Sequence, residues 1–142
     1  MVVDVANVMG ARADGWWRDR PGAAARLYGE IAGLARRGLA ATQLPDPALA
    51  GAGGAAGTER CFPEYVLVLE GRAKAATARI GAAGDPRVRL VAAPGAGDDA
   101  IAGVVRDLTG PRLAVTADRE LRRRCAAAGA AVAGPGWLLG ML

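Results

Sequence analysis

A chain of 142 residues that is 52% hydrophobic suits one domain around one core, because a domain of this size removes about two-thirds of the surface its unfolded chain exposes. With no histidine, and with Cys61 and Cys125 far apart, a zinc site of the usual Cys/His kind is excluded, as are Ser-His-Asp and Cys-His catalysis. The net charge of +4 suits a polyanionic partner, and the absence of a basic-then-apolar leader or of any run of ~20 apolar residues leads to the expectation of a cytoplasmic, membrane-free protein with reduced thiols.

Val2 and Val3 open the chain as a strand, and a glycine-bearing loop from Gly10 to Arg20 carries Trp16 and Trp17. Asp19 is suited to cap a helix with Pro21 at its first turn; Ala24, Leu27, Ile31, Leu34 and Ala35 recur at helical spacing, and Gly38 is a natural stop, so a helix is predicted from Pro21 to Arg37. Residues 43–60 hold Pro45, Pro47 and a Gly/Ala-rich run without periodicity, which reads as a mobile loop. Tyr65 to Leu69 reads as a buried strand, Arg72 to Ile80 as a short helix and Val88 to Ala92 as a further strand. Asp98 and Asp99 open a helix on which Ile101, Val104, Val105 and Leu108 follow the i, i+3, i+4, i+7 pattern. Gly110 and Pro111 end it; Arg112 to Thr116 is the next strand, Asp118 to Ala127 the next helix, and Ala130 to Ala133 a last short strand. The tail beyond Pro135, with Trp137, Leu138, Leu139, Met141 and Leu142, is apolar enough to cover either the domain or a second copy, which makes it a candidate homodimer contact.

Strands alternating with helices imply an α/β fold: a three-layer sandwich with a mostly parallel central sheet of about five strands, in a single domain over residues 1–142. Such sheets bind ligands beyond the carboxyl ends of their strands. Asp4, Glu70, Asp98 with Asp99, and Asp118 with Glu120 all fall where a strand stops or a helix starts. Carboxylates gathered at one edge repel one another by several kcal/mol, to order of magnitude, unless a cation lies among them. A divalent metal bound there would activate water and polarise a phosphate without any histidine.

The run Val2-Val3-Asp4-Val5-Ala6-Asn7-Val8 resembles the opening D-x-x-N of PIN-like nucleases, in particular the NYN branch with its YacP-like ribonucleases. Gly97-Asp98-Asp99-Ala100-Ile101 resembles their second acidic motif, and Val115-Thr116-Ala117-Asp118-Arg119-Glu120-Leu121 is similar to the third, a layout that flap endonucleases share. The likeness runs in order from Val2 to about Ala133. It implies an endoribonuclease acting on single-stranded RNA through Mg²⁺ or Mn²⁺, with Asp4, Asp98, Asp99 and Asp118 as metal ligands and Asn7 orienting a carboxylate or the phosphate. Thr116, Glu120 and Glu70 would be accessory, and Asp98 ranks ahead of Asp99 on its spacing to Ile101.

Plainer readings stand beside these. Asp4, Asp98 or Asp99, and Asp118 each suit a helix cap, and Glu70 suits a solvated strand end. Trp16 and Trp17 suit either base stacking or a clamp on the first long helix. Arg18 and Arg20, with Arg119, Arg122, Arg123 and Arg124, suit either phosphate contact or a wet surface. A haloacid dehalogenase-like phosphatase is the rival enzyme, although it needs a second acid two residues after its nucleophile and position 6 is Ala. A non-catalytic nucleic-acid-binding or regulatory module of the same fold is the rival outside enzymology.

Overall fold

Side-chain alternation along the short strands decides which helix covers which face. The computed structural model describes residues 1–50, 60–81 and 84–142. In chain order the elements are β1 (Val2–Asp4), α1 (Val5–Gly10), α2 (Arg20–Arg37), β2 (Leu39–Ala40), β3 (Arg60–Cys61), β4 (Tyr65–Leu69), α3 (Ala76–Ile80), β5 (Val88–Ala92), α4 (Gly97–Asp107), β6 (Leu113–Val115), α5 (Arg119–Ala127), β7 (Ala131–Ala133) and α6 (Pro135–Leu139). Five strands form one parallel sheet in the order β5-β4-β1-β6-β7, and β2 pairs antiparallel with β3 in a separate ladder.

Residues of one parity, among them Val3, Tyr65, Leu67, Leu69, Leu113 and Val115, are buried with α1, α2, α3 and α6. Those of the other parity, Val2, Val68 and Ala114, are buried with α4 and α5. The result is the α/β three-layer arrangement that the alternating elements predict. Each fully buried Leu or Ile in these layers contributes about 1.5–3 kcal/mol of burial free energy, and the many alanines let helix and sheet approach closely. Among the described residues no helix is long and apolar enough to cross a membrane.

Helix α2 begins and ends on the residues the sequence singles out. The Asp19 side chain accepts from the Gly22 amide at 3.0 Å, and Gly38 closes the helix with φ +68°, a conformation that L side chains rarely adopt. A Cβ at Gly38 would also stand 2.8 Å from the Cys61 carbonyl, because β3 crosses there.

One expectation needs correction. The helix predicted over Arg72–Ile80 is a 3₁₀ stretch, Gly71–Ala75, followed by the single α-helical turn of α3. Of the mobile loop predicted over 43–60, residues 51–59 lie outside the described residues. Its described ends are not featureless: Pro47–Ala50 is a 3₁₀ turn, and Arg60 pairs with Ala40. Two-residue strands are too short to carry a periodic signal. The apolar tail covers the domain itself: Leu138 is fully buried, Trp137, Leu139, Met141 and Leu142 pack on the same core, and the Trp137 indole donates to the Gln43 carbonyl at 2.9 Å.

Candidate acidic site at the carboxyl edge of the sheet

The strand order reverses between β1 and β6, since the chain adds β4 and β5 on one side of β1 and then returns to add β6 and β7 on the other. A crevice at the carboxyl ends of two such strands is where open α/β sheets bind ligands. Asp4 ends β1 and Thr116 follows β6, and the register Val2↔Ala114, Val3↔Val115 sets them side by side. By alternation Asp4 shares the parity of Val2, so it faces α4 and α5; Asp98 is in the first turn of α4 and Asp118 is the N-cap of α5.

Asp4 is only 5% exposed and accepts three hydrogen bonds: from the Asn7 amide at 3.1 Å, the Asn7 side chain at 2.7 Å and the Thr116 hydroxyl at 2.8 Å. Thr116, wholly buried, in turn accepts from the Asp118 amide at 3.1 Å, so its proton is committed to Asp4. The Asn7 side-chain oxygen Oδ1 accepts from the Ala117 amide at 3.3 Å. Asp118 caps α5 by accepting from Leu121 at 2.7 Å. The capping readings of Asp4 and Asp118 are therefore realised.

Helix α4 has no side-chain cap of its own. Its first amide, Gly97, donates instead to Glu70 at the end of β4, at 3.0 Å. A Cβ at Gly97 would lie 2.5 Å from that carboxylate oxygen, so a side chain there would displace it. Glu70 is thus exposed but tied, and it holds the start of α4 next to the crevice. The Asp98 carboxyl is raised above its ordinary value, first by burial and then by the charges of Asp118, Asp4 and Glu70, with Arg124 partly offsetting them. These four acids share one electrostatic environment. Cys125, buried beneath them on α5, is a free thiol pushed up mainly by burial, and Cys61 is free too.

Not every candidate joins the group. Asp99 is exposed and pairs with Arg124 at 2.8 Å, because neighbouring helix positions point about 100° apart. Glu120 is exposed and pairs with Arg123. Arg119 and Arg122 make no ion pair among the described residues, and the same holds for the exposed Arg18 and Arg20. Trp16 is half-buried against the main core, with the Arg20 guanidinium 5.2 Å from its ring centre, while Trp17 stands edge-on to it and is 56% exposed. The clamp reading suits Trp16 and the open reading suits Trp17. Sequence reasoning missed Gly97 as the residue that admits Glu70, although a glycine directly before an acidic pair was its signal.

Among the described residues no three acidic or sulfur side chains stand close enough to hold a metal ion as placed. Asp4 turns its oxygens to Asn7 and Thr116, Asp118 turns one to Leu121, and Glu70 turns one to Gly97, so the acids sense one another's charge without sharing a ligand position. No known family, curated protein or solved structure matches this chain.

Proposed function

We propose that the chain is a divalent-metal-dependent endoribonuclease of the PIN-like, NYN kind, acting on single-stranded RNA with Mg²⁺ or Mn²⁺. The observation that carries this reading is geometric: at the switch point of the sheet Thr116 donates to Asp4 and accepts from the Asp118 amide, and the first turn of α4 brings Asp98 to the same face. Such convergence costs stability and contributes no apolar packing, which is the usual mark of a site kept for chemistry.

The donor set is all carboxylate and hydroxyl oxygen, which fits a hard cation, and Asp4, Asp98 and Asp118 are the residues that would hold it after modest side-chain rotation. Bound there, the ion would supply an activated water and neutralise charge on the phosphate. Asn7 and Thr116 fix the Asp4 carboxylate by three hydrogen bonds. Glu70 anchors the helix that carries Asp98. The guanidiniums of Arg18, Arg20, Arg119 and Arg122, which form no ion pair among the described residues, favour the RNA backbone.

The phosphatase alternative lacks its second acid at Ala6. A non-catalytic nucleic-acid-binding module is favoured by one observation, the absence of a ready three-carboxylate cluster among the described residues. Cleavage of end-labelled single-stranded RNA in Mn²⁺ or EDTA, by wild type and by Asp4→Ala, Asp98→Ala and Asp118→Ala, decides between them. Metal-dependent cutting lost in all three variants supports the nuclease; cutting that survives in all three rejects this site. No thermal shift with Mn²⁺ and no cleavage would select the binding module.

A further inference from the structure

Beside the acid group lies a cleft of about 400 Å³, within the range of about 300–1,000 Å³ that holds small ligands. Trp16, Arg20, Glu70, Gly71 and Gly95 line it, together with Ala6, two residues beyond Asp4. Three features give it a chemistry of its own. The Arg20 guanidinium lies 5.2 Å from the centre of the Trp16 ring, a cation–π pair whose two planar groups are of the kind on which a base stacks. Glu70 commits one oxygen to the Gly97 amide, and its other oxygen has no hydrogen-bond partner among the described residues. A Cβ built at Gly71 or Gly95 meets no atom within 4 Å, so the rim is open.

We propose that this cleft is a nucleobase subsite that selects unpaired guanine. Stacking on the Arg20–Trp16 pair accepts any base, since every base has a π-face, so discrimination falls to Glu70. Guanine alone presents two adjacent donors, N1–H and the N2 amino group, to a carboxylate. Adenine and cytosine set an acceptor nitrogen beside their amino donor, and uracil flanks its one N–H with two carbonyls. A carboxylate facing any of these meets a repelling lone pair. A base inside a duplex has this edge occupied, so the cleft admits single strands only. The inference rests on the nuclease reading for the strand that brings the base, but a free mononucleotide tests the subsite without any cleavage.

The experiment is binding of GMP, AMP, CMP and UMP to the whole chain in EDTA, followed by tryptophan fluorescence. GMP is expected to bind about tenfold more tightly than the others, the worth of one charge-assisted hydrogen bond. Gly95→Leu fills the open rim without touching Asp4, Asp98 or Asp118, and should weaken GMP about tenfold while its circular dichroism matches wild type. Glu70→Gln keeps an oxygen for the Gly97 amide but turns an amide donor into the cleft, and should erase the preference for GMP. Equal binding of all four nucleotides by wild type, or GMP affinity unchanged in Gly95→Leu, overturns the subsite. A GMP preference without RNA cleavage in Mn²⁺ keeps the subsite and removes the nuclease reading; cleavage without guanine preference in binding or in cut positions does the reverse.

Discussion

The two edges of the parallel sheet have clefts of nearly equal size and opposite chemistry. At the amino edge a cleft of about 400 Å³ is lined by Met1, Leu44, Leu49, Phe62, Pro111 and Leu113 among others; the cleft beside the acids at the carboxyl edge has the same volume. Volume does not separate them. What separates them is helix polarity, because a parallel sheet collects helix N-termini at one edge and helix C-termini at the other. Three carboxylates serve helix amides at the carboxyl edge: Asp4 on Asn7, Asp118 on Leu121 and Glu70 on Gly97. At the amino edge Arg112 donates to the Leu108 carbonyl at 2.5 Å and to the Ala128 carbonyl at 3.0 Å, so one cation closes the ends of both α4 and α5. Capping accounts for each of these three acids taken singly, though not for Asp98. It does not account for their convergence, and that surplus is the argument for chemistry at one edge and structure at the other.

The sharpest way to break this contrast is Asp118→Asn. Asparagine caps a helix as well as aspartate does, so stability should change little, whereas Mn²⁺-dependent RNA cleavage should fall by about a hundredfold to a thousandfold if the carboxylate serves the reaction. Cleavage within a factor of three of wild type would make Asp118 a cap and no more. Arg112→Met is the complementary change. It strips two helix ends of their partner and should cost about 2–3 kcal/mol in chemical denaturation, with the cleavage rate of the folded protein unaltered.

How much of that contrast could be read from sequence depends on the range of the signal. Strands β4 and β5 have the predicted limits, Tyr65–Leu69 and Val88–Ala92, and α2 starts one residue before Pro21, because apolar runs and caps are local. The edge on which Asp4, Asp98 and Asp118 gather follows from strand-to-helix alternation. Pairing between distant residues is not local: Asp99 goes to Arg124, 25 positions away, and Glu70 to Gly97, 27 positions away. The central place of β1, which makes the switch point, is likewise a property of pairing across the sheet. The tail's apolar content marked it for burial, yet the five-residue helix α6 is too short to impress a period.

Asp98→Asn sharpens the comparison through stability. In the folded chain the Asp98 carboxyl titrates above the ordinary 3.8, for burial first and its acidic neighbours second. Between the unfolded and folded values the native state holds more protons than the unfolded state, so stability falls as pH rises through that window and the penalty persists at neutral pH. Asp98→Asn should therefore unfold at a higher temperature than wild type at pH 7, and the advantage should close below about pH 3.8. Added Mn²⁺ should raise the wild-type midpoint and raise that of the variant less. A variant less stable than wild type at pH 7 would sever Asp98 from the acid group.

The smallest expected effect belongs to Tyr65, at the amino end of β4. Its side chain is fully buried, and its hydroxyl is one of two buried polar side-chain atoms without a hydrogen-bond partner among the described residues, the other being Arg112 Nε. A buried donor left unpaired costs free energy, so Tyr65→Phe should stabilise the fold by about 1 kcal/mol near neutral pH, read as a higher denaturant midpoint at constant slope. Burial pushes the phenol from about 10 up to about 12, partly opposed by Arg37. The unfolded chain ionises first, so wild-type stability should drop as pH rises from about 10 to about 12, and Tyr65→Phe should abolish that drop. A variant destabilised at neutral pH would mean the hydroxyl is satisfied, and the amino edge would then be as fully bonded as the acid edge opposite.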